Sequence, residues 1–210
     1  MTLERATGIV LRTRPLTETS LIVEWLTPDL GRLSAVAKGA RRPKSAFRGQ
    51  IDLFYQAEFS FVRSNRSELH TLREARLLNP HALIRQNLDH LEQAAYCAKL
   101  IEQTTERETP IPDVYQALST LLDELPKHPA LPQGVMGFQM KLLETLGLTP
   151  NLAETSLSPG SRLLLEKFIT LDWSSIFRIT LSEAQKVEIS HFLQGFMIYH
   201  LERVPKPPRF

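Results

Sequence analysis

The chain has 210 residues, 42% of them hydrophobic, with 25 Lys and Arg against 23 Asp and Glu, a formal charge of +2. That is enough apolar material for one or two packed domains. A single cysteine, Cys97, excludes an internal disulfide framework and a cysteine-based zinc site. No run reaches the ~18 apolar residues of a membrane span, and the opening MTLERATG is too polar for a secretory signal. The expectation is a soluble cytoplasmic protein. Charge divides unevenly: residues 1–80 hold 13 Lys and Arg against 8 Asp and Glu (+5), and residues 81–210 hold 12 against 15 (−3). One half is suited to a polyanion and the other is not.

Residues 5–78 read as strands. Gly8-Ile9-Val10-Leu11 runs on through Arg12-Thr13-Arg14 and stops at Pro15. Ser20 to Leu26 is rich in β-branched and aromatic residues and closes on the turn cluster Thr27-Pro28-Asp29-Leu30-Gly31. Leu33, Ala35 and Ala37 then alternate with Arg32, Ser34 and Val36 up to Lys38-Gly39. Ile51 to Val62 alternates Leu53, Tyr55, Ala57, Phe59 and Phe61 against polar neighbours, and Leu69 to Leu78 supplies a fifth strand. Five short strands with one long connection fit a small closed barrel of the OB type. An SH3-like barrel fits nearly as well on spacing alone.

The long connection is the most informative stretch. From Arg32 to Arg48 there are six basic residues (Arg32, Lys38, Arg41, Arg42, Lys44, Arg48) and no acidic one. Such charges repel one another unless an anion lies against them, and phosphate is the commonest partner. The alternative is a solvated basic loop. Phe47 also has two readings: it stacks on an unpaired base, or it plugs the end of the barrel.

After Asn79-Pro80 the period changes to about 3.6. Asn79 is read as an N-cap, followed by a stripe of Ile84, Leu88, Leu91, Ala95, Ala98 and Ile101. In this stripe Cys97 is a small core residue. Glu102 to Glu108 is a polar connection, and a second helix opens at Pro110 or Pro112 and stops at Pro126. Gly134 to Leu146 is apolar nearly all round and belongs in the middle of a bundle. Further helices begin at Ser158-Pro159, after Asp172, and at Ser182, which forms a capping box with Gln185. The tail, Pro205 to Phe210, is proline-rich and irregular. The sequence divides into a barrel over residues 1–79 and an all-helical domain over 80–210. The fold class is therefore α+β.

No catalytic residue emerges. Phosphate-loop, dinucleotide, zinc-protease and serine-hydrolase motifs are absent. His70, His81, His90, His128, His191 and His200 form no metal-ligand spacing, so neither metal nor cofactor is expected. Met136, Met140 and Leu143 admit two readings, bundle core or a groove for a partner peptide, since methionine adapts to varied shapes.

Two stretches resemble a known family. Gly8 to Pro15, Glu18-Thr19-Ser20 and Gly31 to Arg42 (GRLSAVAKGARR) are similar to the N-terminal signature of the bacterial RecO recombination mediators. Phe138 to Gly147, with Pro150 and Leu152, resembles that family's central helix and its exit. The resemblance implies an OB-fold followed by a helical domain. It also implies binding to single- and double-stranded DNA, strand annealing and a non-enzymatic role in recombinational repair, in the cytoplasm at the nucleoid. The implied partners are a RecA-type recombinase loaded on gaps coated with single-stranded DNA-binding protein, a RecR-type mediator, and that coating protein's acidic C-terminal tail. Many members carry a four-cysteine zinc ribbon where this chain reads Ala153-Glu154-Thr155-Ser156; the ribbon is expected to be deleted. Lys141, the only basic residue of the central helix, is the candidate for the tail's carboxylate.

The candidate DNA-binding residues are Arg12, Arg14, Arg32, Lys38, Arg41, Arg42, Lys44, Phe47 and Arg48. About six phosphate contacts imply a slope of log K against log salt near −4 to −5 on single strands. The competing readings are a protein-interaction adaptor with the barrel as scaffold, and an RNA-binding OB protein.

Overall fold

The computed structural model describes residues 2–201 and 204–208. Five strands, β1 (Leu3–Pro15), β2 (Leu21–Thr27), β3 (Gly31–Ala37), β4 (Gln56–Val62) and β5 (Leu69–Asn79), close into a barrel in the order β1-β2-β3-β5-β4. All pairings are antiparallel except β3 with β5. This is the five-stranded OB-type barrel expected from the strand spacing. β1 closes it by serving two neighbours. Its first half pairs with β4 and its second half with β2, and the register shifts between Val10 and Arg12 where the strand changes partner.

Alternation places Val23, Trp25, Leu33, Ala35, Phe59, Phe61 and Leu72 inside, where they form one cluster. Trp25 and Phe59 stack with ring centroids 4.2 Å apart. The fourth strand starts five residues later than its alternation suggested. Phe54 takes a left-handed conformation (φ 62°), donates its N–H to the Val10 carbonyl at 2.8 Å, and leaves the Tyr55 carbonyl to accept from Val10 N–H at 2.9 Å. Residues 51–55 therefore fill the gap at the β1 bulge instead of extending β4.

The chain forms two compact units, Met1–Ala82 with Thr105–Gln116, and Leu83–Thr104 with Ala117–Phe210. The barrel unit thus includes residues 105–108, part of the polar stretch Glu102 to Glu108 that reads in sequence as a connection. Residues 105–109 lie along β3, with a bridge between Arg32 and Arg107, and Glu108 N–H donates to the Arg32 carbonyl at 2.8 Å. Gly31 (φ +65°) permits this approach, since a Cβ there would fall 1.9 Å from the Thr109 carbonyl oxygen.

The helices are α1 (Leu88–Thr104), α2 (Pro112–Glu124), α3 (Pro132–Thr145), α4 (Pro159–Thr170), α5 (Trp173–Phe177) and α6 (Glu183–His200). α1 begins later than the Asn79-Pro80 signal implied. Asn79 instead closes a turn by accepting from His81 N–H, and Asn87 caps α1 by accepting from Asp89 and His90. In the helical unit α3 is buried on nearly every side and packs against α1, α4, α5 and α6. Ser158 caps α4, Asp172 caps α5, and the Ser182–Gln185 capping box opens α6. Residues 204–208 of the proline-rich tail are neither helix nor strand; Arg209 and Phe210 lie outside the described residues.

Candidate nucleic-acid interface

The connection from β3 to β4 is a ladder of tight turns. Backbone N–H groups of Ala40, Arg42, Ser45, Arg48 and Gln50 donate to the carbonyls of Ala37, Gly39, Arg42, Ser45 and Phe47 at 3.0–3.3 Å. Phe47 points inward, 8% exposed, and joins the barrel core. Of its two readings the structure shows the plug: a ring held there has no free face for a base.

Lys38, Arg41, Arg42, Lys44 and Arg48 are all exposed. Among the described residues none of the five makes an ion pair. Two are held by backbone carbonyls instead: Arg41 Nη1 donates to the Thr17 carbonyl at 3.1 Å, and Arg48 Nη1 to the Pro43 carbonyl at 3.4 Å. Arg41 N–H also donates to the Thr19 carbonyl at 3.0 Å, which joins the β1–β2 loop to the ladder. Such tethers orient a guanidinium without neutralising it, so the charge stays available to an outside anion.

Arg12 and Arg14 are exposed on β1. Register places Arg14, Ile22 and Val36 in one row, and Lys38 continues the same parity beyond β3. Strand spacing puts Arg14 roughly 10 Å from Val36. The outer face of β1–β2–β3 therefore leads into the basic ladder.

Arg32 does not belong to this surface. It has the outward parity that alternation assigns it, but residues 105–109 cover that face and leave it 6% exposed. Its Nε donates to Thr105 Oγ1 at 2.8 Å, its Nη2 donates to the Thr105 carbonyl, and its Nη1 lies 3.3 Å from Glu24 Oε1. Arg107 reaches the same Glu24 oxygen at 2.6 Å. Two guanidinium groups on one buried carboxylate form an internal lock, because a buried charge without partners is costly. A second lock joins Arg63 to Glu4 at 2.7 Å and to Glu108, while His70 Nε2 lies 3.0 Å from Glu108. The hydrogen bond from Arg63 holds the Glu4 carboxyl below its ordinary range and raises the Arg63 guanidinium further.

The residues considered for a partner peptide lie inside the helical unit. Met136, Met140 and Leu143 are at most 2% exposed, covered by the helices around α3, and present no open groove. Lys141 is half-buried. Its Nζ donates to the carbonyls of Ile169 and Leu171 at 2.8 and 2.9 Å and lies 5.6 Å from the centroid of the Trp173 ring. Burial pushes this ammonium below its usual range. Its donors cap the C-terminal end of α4, which is a structural use.

From α3 to α4 the chain makes one 3-10 turn, Leu152–Glu154, before the Ser158 cap. Among the described residues no group of three or more His, Cys, Asp or Glu is placed to hold a metal ion. No described helix is long and apolar enough to cross a membrane.

Family models match both parts of the chain: "Recombination protein O N terminal" over residues 1–81 and "Recombination protein O C terminal" over 85–157. The chain belongs to the RecO family. Similar RecO proteins, each named "DNA repair protein RecO", come from Rhodopirellula baltica (31% identical over 143 residues), Bacillus subtilis strain 168 (33% over 152) and Listeria monocytogenes serotype 4b (30% over 152). The matches cover 68–71% of this chain and 53–58% of those relatives, so the chain spans little more than half the length of the RecO proteins it matches. The β1–β2 loop meets the ladder through the Thr17 and Thr19 carbonyls, and the fold alone brings its hydroxyl residues Thr17, Thr19 and Ser20 beside Lys38 and Arg42.

Proposed function

We propose that the barrel unit binds DNA along the turn ladder and the outer face of β1, and that the protein serves recombinational repair as a non-enzymatic mediator. The observation that carries this reading is five exposed cations on one ladder without a carboxylate partner among the described residues, in a chain of the RecO family. Lys38, Arg41, Arg42, Lys44 and Arg48 are the phosphate contacts, with Arg12 and Arg14 beside them. Annealing follows from neutralisation, because two strands held on basic surface repel each other less. Loading of a RecA-type recombinase, a RecR-type partner and the tail of a single-stranded DNA-binding protein are supported by family membership alone. Lys141 and the buried methionines are not proposed as the seat for that tail.

The test is a titration of labelled single-stranded oligonucleotide across a salt series. Five ladder contacts give a slope of log K against log salt of about −3.5. Replacing Arg41, Arg42 and Lys44 by alanine should bring it to about −1.4. An unchanged affinity and slope would remove the ladder from the interface.

A further inference from the structure

Between the β1–β2 loop and the start of the ladder lies a cleft of about 420 Å³. Lys38 and Arg42 line it from the ladder, and Thr17, Thr19 and Ser20 line it from the β1–β2 loop. The hydroxyls are arranged to donate. Thr17 Oγ1 accepts the N–H groups of Thr19 and Ser20 at 3.3 and 3.1 Å, and Ser20 Oγ accepts the Gly39 N–H at 3.4 Å. With these lone pairs occupied, the hydroxyl protons are left for an acceptor. Two cations and these hydroxyls converging on one cleft suit a phosphate.

A phosphate alone does not explain the remaining wall, which is apolar. Leu16 stands 46% exposed at the rim, and Val36 forms part of the floor. The volume sits at the small end of ligand-sized cavities and matches a compact group with an anionic end and a flat apolar body. The larger recess of the barrel, about 830 Å³, shows the contrast. Glu58, Glu74 and Asp29 accompany Arg5 and Arg76 there, a mixture that does not select an anion.

We infer that this cleft seats one unpaired nucleotide, with its phosphate on Lys38 and Arg42 and its base against Leu16 and Val36. The inference rests on the DNA-binding reading above and adds strand selectivity to it. A paired base is stacked inside the duplex and reaches such a wall only after extrusion, which breaks its stacking and pairing. Duplex therefore meets the ladder through its phosphates alone, while single strands gain the cleft as well.

The test uses the full chain, wild type and Leu16→Ser, with three probes: a 15-nucleotide oligo(dT), the corresponding abasic strand, and a 15-base-pair duplex. Leu16 is half-exposed on a loop, and thermal melting of the variant verifies that the fold is kept. The expected result is a 3- to 10-fold loss on oligo(dT) with unchanged salt slope, and no change on the abasic strand or the duplex. Equal losses on all three probes, or no loss on any, would overturn the cleft as a nucleotide seat while leaving the ladder intact. If wild type binds none of the probes at low salt, the DNA-binding reading fails and the cleft fails with it.

Discussion

A guanidinium can serve the inside or the outside of a fold, and two arginines ten residues apart show both. Arg42 faces solvent and makes no ion pair among the described residues, whereas Arg32 is shared between Glu24 and Thr105. Arg32→Ala should cost about 1–3 kcal/mol in urea unfolding, because it removes the hydrogen bonds to Thr105 and leaves the buried Glu24 carboxylate to Arg107 alone, and should leave the DNA salt slope where it was. Phe47→Ala should cost about 3–4 kcal/mol as a core cavity. Phe47→Leu, which keeps the plug but removes the ring, should bind oligonucleotide as the wild type does; a severalfold loss of affinity would return Phe47 to the interface. Alternation in the sequence speaks to Arg32 alone; Phe47 stands outside every alternating run. It marked Arg32 as outward, but could not reveal that a segment 73 residues later covers that face. Composition marked Phe47 as unusual in a basic run, and only the curl of the ladder decides that its side chain turns inward.

Elements were legible where local chemistry fixes them. The Ser182–Gln185 box, the Asp172 cap and the all-round apolar α3 are written in a few adjacent residues, and each is found where read. Elements whose limits depend on distant partners were not. β4 loses its first five positions to the bulge in β1, and α1 starts at a cap supplied by Asn87 because residues 82–86 form a 3-10 turn. Gly31 makes the clearest test of the segment docked on β3. Gly31→Ala puts a methyl group onto the Thr109 carbonyl at a left-handed position, and should destabilise the barrel by more than about 2 kcal/mol in urea unfolding. In the helical unit Glu188 of α6 accepts from Ser158 N–H and from the hydroxyls of Ser158 and Ser161, the Ser161 bond acting most strongly to lower its carboxyl pKa. A carboxylate lowered on folding contributes stability above its unfolded value, and that contribution is lost as pH falls through the folded one. Melting temperature should therefore drop as pH falls below the ordinary carboxylate range, and Glu188→Gln should flatten part of that slope while lowering the melting point at pH 7.

At the scale of the molecule, the barrel unit is discontinuous in sequence: it needs residues 105–116 as well as the first 82. A fragment ending at residue 82 keeps the Arg32–Glu24 and Arg63–Glu4 pairs but lacks Thr105, Arg107 and Glu108, and with them a second partner for Arg32, Glu24 and Arg63 and the carboxylate beside His70. It should unfold at clearly lower urea than a fragment ending at 116, with matching midpoints as the result that would deny the segment a role in the barrel. This discontinuity has a consequence at the ribosome. β5 is complete at Asn79, but the segment that locks the barrel begins 26 residues later and is complete only after 37. At 5–20 residues per second that is a delay of roughly 2–7 seconds. For that interval the nascent strands carry Glu24 and Arg32 without the segment that covers them, and α1 must emerge in full before the first-made part of the protein can finish folding.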